Sequence, residues 1–414
     1  MTPLATVHAP LQQRDPEAAA LLEAEQRRQE ATLSLIASEN HCSGAVRAAC
    51  ASVLTDKYAE GYPGARYYGG CEVADRVEDL ARARARKLFG AEHANVQPHS
   101  GTTANLTALA AVMKAGEPLV GMALNAGGHL SHGFKVSHTG QFFTPRQYGV
   151  RADTGLVDMD QVRDLVREHR PKVLIAGGSS YPRALPWADF RAIADEVSAI
   201  LLADIAHPAG LIAAGVMPSP VGIADVVTMT THKTLRGPRG GMILCRSSLA
   251  EKIDKSVFPG GQGGPLVHQI AGKAVAFGEA LQPSFAAYQQ RVLDNAKRLA
   301  AGLAERGLAI VTGGTDCHMV VVSLVGKDRT GDDVERAALS AGLVINKNMV
   351  PGDPRSPRVT SGIRIGTAAA TSRGLGLAEM DVLAAMLVDL VEGRDPAAHQ
   401  RTIRDLCAAH PLPE

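Results

Sequence analysis

Asp225-Val226-Val227-Thr228-Met229-Thr230-Thr231-His232-Lys233-Thr234-Leu235-Arg236-Gly237-Pro238-Arg239-Gly240-Gly241 runs an apolar stretch straight into a polar turn. Its first six residues read as a buried strand, and the Gly/Pro-rich end cannot continue as a helix. Lys233 therefore stands at a strand end, fixed in place and open to partial desolvation. Burial disfavours the ammonium form and leaves more of the neutral amine, the form that attacks a carbonyl to make a Schiff base. An ordinary strand-end lysine points into solvent, so the neighbours of Lys233 decide between the two readings.

The strand before it, Ala199-Ile200-Leu201-Leu202-Ala203, ends in Asp204-Ile205-Ala206-His207. A carboxylate at the mouth of an apolar strand is costly unless it meets a cation. An aspartate there can also form a turn or cap a helix. Paired with Lys233, Asp204 fits pyridoxal phosphate: an aspartate keeps the pyridine nitrogen protonated while a lysine holds the aldehyde carbon. Gln97-Pro98-His99-Ser100-Gly101-Thr102-Thr103 leads into a helical run over 106–114, which puts hydroxyls and amides at a helix N-terminus suited to an anion. A further loop, Phe258-Pro259-Gly260-Gly261-Gln262-Gly263-Gly264-Pro265, lets backbone approach a ligand closely.

Apolar strands over 172–175, 200–203, 226–229 and 241–245 alternate with helical stretches from about 44 to 285. That alternation predicts an α/β domain with a largely parallel sheet covered on both faces, its ligands at the strand ends. A helix over 284–307 then leads into a smaller α+β domain containing strands at 309–311 and 319–324. We expect three parts: a tail and arm (1–43) that includes a polar helix over 16–30 laid on a partner subunit, a large domain (44–285), and a C-terminal small domain (286–414).

Whole-chain properties exclude several classes. The 414 residues carry 43 Lys+Arg against 42 Asp+Glu, so no net field draws the chain to nucleic acid or membrane. The basic run at 81–87 reads as a solvated helix face. No long apolar span or signal-type N-terminus is present, which predicts a cytoplasmic protein. Cys42, Cys50, Cys71, Cys245, Cys317 and Cys407 show no paired spacing and read as reduced thiols. His129 and His132 have no carboxylate or cysteine beside them at ligand spacing, so no metal is expected.

With Leu35-Ile36-Ala37-Ser38-Glu39-Asn40, Lys57-Tyr58-Ala59-Glu60-Gly61-Tyr62-Pro63-Gly64, Arg66-Tyr67-Tyr68-Gly69-Gly70, Gly127-Gly128-His129-Leu130 and Thr360-Ser361-Gly362-Ile363-Arg364-Ile365-Gly366, the chain closely resembles the serine hydroxymethyltransferase family from about residue 20 onward. The resemblance implies the aspartate-aminotransferase fold (fold type I) and pyridoxal phosphate. It also implies tetrahydrofolate as co-substrate and a homodimer whose subunits share active sites.

Carried over by resemblance, Lys233 anchors the cofactor, Asp204 meets its pyridine nitrogen and His129 stacks on its ring. His207 lies by its phenolic oxygen and the substrate carboxylate. Ser100, Gly101 and Thr102 hold the phosphate from one subunit, with Gly263 and Gly264 reaching it from the other. Arg364, whose planar fork suits a bidentate ion pair, clamps the amino-acid carboxylate with help from Ser38. Tyr58, Glu60 and Tyr68 come across the dimer interface, Glu60 as the proton-handling carboxyl group. Thr230 and His232, flanking the lysine, join the catalytic set. Tyr67, Leu124, Gly127, Gly128, Leu130 and Asn348 line the folate site; Ser179 belongs with that lining and with the cofactor contacts. The implied reaction converts serine and tetrahydrofolate to glycine and 5,10-methylenetetrahydrofolate.

Several positions depart from the family's usual text: Ala65, Thr103, Asn125-Ala126, Phe134-Lys135 and Arg358. They touch substrate and pterin more than cofactor. Two alternatives follow: a related hydroxymethyltransferase for α-methylserine and D-alanine, or a threonine aldolase or transaldolase. A scaffold without turnover is disfavoured, because Lys233, Glu60 and Arg364 are all present.

Overall fold

The computed structural model describes residues 10–413. After helix α1 (Pro16–Ala31) the chain builds a seven-stranded sheet. Its strands are β1 (His93–Asn95), β2 (Pro118–Met122), β3 (Thr144–Tyr148), β4 (Val173–Gly177), β5 (Ile200–Asp204), β6 (Val226–Thr230) and β7 (Gly241–Cys245). The spatial order is β1-β7-β6-β5-β4-β2-β3. β7 runs antiparallel to both β1 and β6, and every other pairing is parallel.

β4, β6 and β7 are buried at every position, which explains their unbroken apolar text: a strand covered on both faces has no polar side to alternate. Successive side chains still point to opposite faces. Leu174, Leu201, Val227 and Met242 join one core, whereas Val173, Leu202, Val226 and Ile243 join the other. Helix α2 (Glu72–Phe89) covers the first face with α4 (Val267–Ala280), and α3 (Gly101–Val112) covers the second.

Helix α5 (Pro283–Glu305) joins this lobe to a smaller one, giving Val292 and Leu293 to the first core and Leu299 and Leu303 to a separate one. The smaller lobe is an antiparallel sheet of β8 (Ala309–Ile310), β9 (Met319–Ser323), β10 (Asn346–Lys347) and β11 (Gly362–Gly366), ordered β8-β9-β11-β10. Helices α6 (Gly331–Ala341), α7 (Leu377–Val391) and α8 (Ala397–Ala409) pack with it. The N-terminal segment belongs to the same packing unit: Leu33–Ser34 pairs in parallel with Leu343–Val344, and Leu33 and Leu35 are fully buried in the small lobe's core. α1 packs on α8 of its own chain and leaves Leu21 and Leu22 exposed.

Two expectations need correction. The basic run at 81–87 lies within α2 but is not simply a solvated face. Ala81 and Ala85 are buried, and the Arg84 guanidinium donates to Ala274 O at 2.6 Å, so the run carries the α2–α4 contact. The expected strand ends shift by one or two residues, and the long helix stops at Glu305 because Gly307 takes a positive φ of 84°. No helix among the described residues is long and apolar enough to cross a membrane.

Candidate active site

The turn after β6 is wound by its own backbone. Gly237 N donates to Thr231 O at 2.7 Å and Arg236 N to Lys233 O at 3.0 Å, with Arg236 at φ 60°. Thr230 Oγ1 donates to Ala206 O at 3.0 Å and Thr234 Oγ1 to His207 O at 2.6 Å, tying this turn to the one after β5. Lys233 is buried at the join. Its amine is pushed down to about 8, chiefly by burial and further by Arg364 and Arg239, with Asp204 opposing. The neighbouring His232 ring is driven down to about 3 by burial and by Arg239 and Lys233, and its buried Nδ1 has no hydrogen-bond partner.

Asp204 closes β5 and is buried. Burial raises its pKa, but the hydrogen bond and charge of His132 and a hydrogen bond from Asn105 outweigh that and leave it well below the usual carboxylate range. Asn105 Nδ2 donates to Oδ2 at 2.8 Å, His132 Nε2 lies 2.9 Å from the same oxygen, and Ala206 N donates to Oδ1 at 3.0 Å. Asn105 Nδ2 also reaches Ser131 Oγ at 2.7 Å, and Ser131 N donates to His129 Nδ1 at 3.1 Å. His129 is thereby held next to Asp204. Burial is the main cause of the shift of its ring to about 4, so it is neutral at physiological pH.

His207 is buried and stacked on His318, ring centroids 5.5 Å apart at 19°. Burial first, then Lys233 and Arg364, hold it far below the usual histidine range. His318 Nε2 lies 3.0 Å from Ala37 O and its buried Nδ1 has no partner. Ala37 precedes Ser38, and Gly366 packs on Ala37 so closely that no Cβ would fit there. That contact brings Ser38 to the end of β11, the strand that carries Arg364. Arg364 donates from Nε to Asn346 Oδ1 at 3.1 Å and from Nη1 to Ser179 O at 2.6 Å. Burial pulls it down to about 10. It is charged at neutral pH and, among the described residues, has no carboxylate partner.

At the start of α3, Ser100 Oγ accepts from Thr103 N at 3.1 Å and caps the helix. The amides of Gly101 and Thr102 are left without intrahelical partners, and Thr102 is exposed. Gly101 is needed for space: a Cβ there would stand 2.6 Å from Thr230 Cγ2.

Gly127 O accepts from both Ser179 N and Ser180 N, while Gly128 lies against Met122 O with no room for a side chain. Leu130 is exposed, and Asn348 N pairs with Gly362 O at 2.9 Å. Asn125 and Ala126, two of the departures, line a narrow cleft with Gly127, Met349 and Pro351 between the lobes.

Tyr58, Glu60, Tyr67 and Tyr68 occupy an outer patch. Tyr58 OH donates to Glu60 Oε1 at 3.1 Å and Tyr58 packs edge-on against Tyr68 at 5.0 Å. Tyr67 is exposed and sits against Phe258. Gly263 and Gly264 abut Glu60 and Tyr58, and Gln262 pins their loop to His99 N and Gln97 O. No hydrogen bond among the described residues joins this patch to Lys233.

Asn105, His132, His318 and Lys273 were not singled out as functional from sequence. Only Lys273 carried a local signal, a lone charge in the apolar run Ile270-Ala271-Gly272-Lys273-Ala274-Val275-Ala276-Phe277. His132 does meet a carboxylate, but through the fold and as a hydrogen-bond partner; the described residues hold no cluster of three metal-ligating side chains.

The donor set fits pyridoxal phosphate. It offers an amine pulled towards neutrality, a carboxylate kept ionised, an uncharged imidazole beside that carboxylate, and free amides at a helix start. The family model described as serine hydroxymethyltransferase matches residues 11–387. Serine hydroxymethyltransferase 1 of Pseudomonas fluorescens is 54% identical over 406 residues, covering 97% of this chain and 98% of that protein. Serine hydroxymethyltransferase of Teredinibacter turnerae is 54% identical over 383 residues, 92% of this chain and 91% of the relative. With a fold-type-I sheet and near full-length likeness to these enzymes, the chain belongs to the serine hydroxymethyltransferase family.

Proposed function

We propose that Lys233, Asp204 and Arg364 form the centre at which this chain interconverts serine and tetrahydrofolate with glycine and 5,10-methylenetetrahydrofolate. When bound, pyridoxal phosphate supplies an electron sink for the charge that develops at the amino acid's Cα. Lys233 Nζ would hold the cofactor through its aldehyde carbon, its amine drawn towards the neutral form by burial. Asp204, kept ionised by its donors, favours a protonated pyridine nitrogen. His129 would pack on the ring, and Ser100, Gly101 and Thr102 would take the phosphate at the start of α3.

Arg364 binds the substrate carboxylate with the guanidinium face not used by Asn346 and Ser179, and Ser38 and His207 flank it. Glu60 handles the proton on the serine hydroxyl oxygen. Tyr58, Tyr68 and Gly263 are exposed, Glu60 and Gly264 half-buried beside them, and this patch away from Lys233 supports their contribution to a neighbouring subunit's site in a homodimer. Tyr67, Leu124, Gly127, Gly128, Leu130 and Asn348 take the folate. Six unpaired thiols suit the cytoplasm.

The observation that carries this reading is the placement of Lys233 and Asp204 on adjacent strand ends, the amine near 8 and the carboxyl ionised. Product formation by the pyridoxal-loaded protein, glycine from serine or threonine and alanine from α-methylserine, each with and without tetrahydrofolate, tests it. Folate-dependent turnover of serine above the other two is expected. Preferred use of α-methylserine, or folate-independent consumption of threonine, would replace it with one of the alternatives.

A further inference from the structure

Lys273 lies inside α4 with its ammonium buried. Nζ donates to Val96 O at 2.6 Å, Gly241 O at 2.8 Å and Pro98 O at 3.1 Å. Three acceptors call for three protons, which only the charged form carries. Yet no carboxylate pairs with Lys273 among the described residues. Glu78, the carboxylate whose charge it feels, is held by Arg66 at 2.7 Å and by Gln97 at 2.9 Å. A buried ammonium without a counter-ion is costly, and burial accordingly pulls it down to about 7.

The three carbonyls mark one place in the fold. Pro98 O also accepts from Gly241 N at 2.9 Å, and a Cβ on Gly241 would run into Ser100 O and stand 3.1 Å from Gly101 N. The ammonium therefore sits behind the turn that opens α3. The groups assigned to the phosphate there, Ser100, Gly101 and Thr102 with Gly263 and Gly264, are hydroxyls and amides and bear no charge.

We propose that Lys273 is the counter-charge for the cofactor's phosphate, a positioning residue that acts through Pro98 and Gly241 and through space without touching the dianion. This rests on the pyridoxal-phosphate reading of the site. It accounts for a lysine that the reaction itself does not use, and for a set of assigned phosphate contacts that carries no charge of its own. The other titratable groups facing Lys273 are Cys50, His99, His232 and Glu78. Burial pushes the Cys50 thiol up to about 11, burial lowers the His99 ring, and burial drives His232 down to about 3. Glu78 is paired with Arg66.

The test compares apo wild type with Lys273→Met, titrated with pyridoxal phosphate and with pyridoxal, which lacks the phosphate. The dissociation constant for pyridoxal phosphate should rise about tenfold or more, while that for pyridoxal stays within about twofold. Equal weakening of both, or of neither, overturns the proposal, because a purely structural lysine cannot tell them apart. If Lys273→Met does not fold, the question passes to Lys233→Ala protein with Lys273 intact. Sulfate, a dianion from about pH 6 to about pH 9, should bind more weakly as pH rises through about 7, and a flat affinity sinks the idea. Failure of the cofactor reading itself looks different: neither aldehyde would then give an absorbance that depends on Lys233.

Discussion

His132 Nε2 lies 2.9 Å from Asp204 Oδ2 in the protein interior. Asn105 donates to the same oxygen and Ala206 N to the other, so a carboxylate that burial alone would neutralise remains ionised. The ionised state of Asp204 is thus set by side chains from a helix and a loop, in addition to the strand that carries it.

Replacing His132 by phenylalanine should expose that dependence. Because the folded pKa of Asp204 lies below its ordinary value, its contribution to stability is complete above the ordinary carboxylate range and is lost as pH falls through the folded value. Without His132 the folded value rises, so the ionised carboxylate contributes less and its contribution is exhausted at higher pH. We expect about 1–3 kcal/mol less stability at neutral pH and a smaller deficit near pH 3, where Asp204 of the variant is already being protonated. Urea midpoints at both pH values measure it, and an unchanged acid limb would show that His132 does not hold the charge.

Lys233 makes a kinetic prediction. Only the neutral amine attacks an aldehyde, and its pKa is near 8 where an ordinary lysine lies at 10.5. The second-order rate of pyridoxal phosphate addition to apo-protein should climb with pH and level off above about 8, followed by stopped-flow absorbance. A climb continuing past pH 10 would mean the amine is not perturbed. Lys233→Ala should lack the visible band and lose roughly a thousandfold or more in kcat.

The two residues proposed to hold the cofactor were conspicuous in the sequence for one physical reason: a strand buried on both faces is written as an apolar run, so the first polar residue after it stands out. β5 and β6 obey this, and Asp204 and Lys233 fall at or just past their ends. β3 does not. Thr144-Pro145-Arg146-Gln147-Tyr148 is an edge strand with only Tyr148 buried, and neither alternation nor an apolar run announces it. His132 is 72 residues from Asp204 and His318 is 111 from His207, separations at which no local spacing reports a contact. The histidine pair at 129 and 132 suggested, at most, a metal site, because its carboxylate arrives only through the fold.

Arg364→Lys should raise the KM for serine by about tenfold to a hundredfold and change kcat far less. Asn346 and Ser179 fix the guanidinium plane; an ammonium has no plane to fix and cannot take a carboxylate through two parallel donors. Steady-state kinetics with serine decide it, and an unaltered KM would remove Arg364 from the substrate site.

The proposed sharing of sites between subunits predicts complementation. Lys233→Ala and Glu60→Gln proteins should each be nearly inactive. Unfolded and refolded together in equal amounts, they should regain about a quarter of wild-type activity, since half the dimers are mixed and each mixed dimer has one intact site. No recovery, with mixed dimers verified by mass, would mean that Glu60 serves its own chain's Lys233.

The pairing of Leu33–Ser34 with Leu343–Val344 has a consequence for synthesis. A ribosome delivers the first of these strands early and its partner some three hundred residues later, about 15–60 s at ordinary elongation rates. Throughout that interval Leu33 and Leu35 have no core to enter, although the large sheet between them can already close. The small lobe is therefore the last part of the molecule to become whole, and a nascent chain halted before residue 343 should remain open to protease at its N-terminal segment while the large lobe resists.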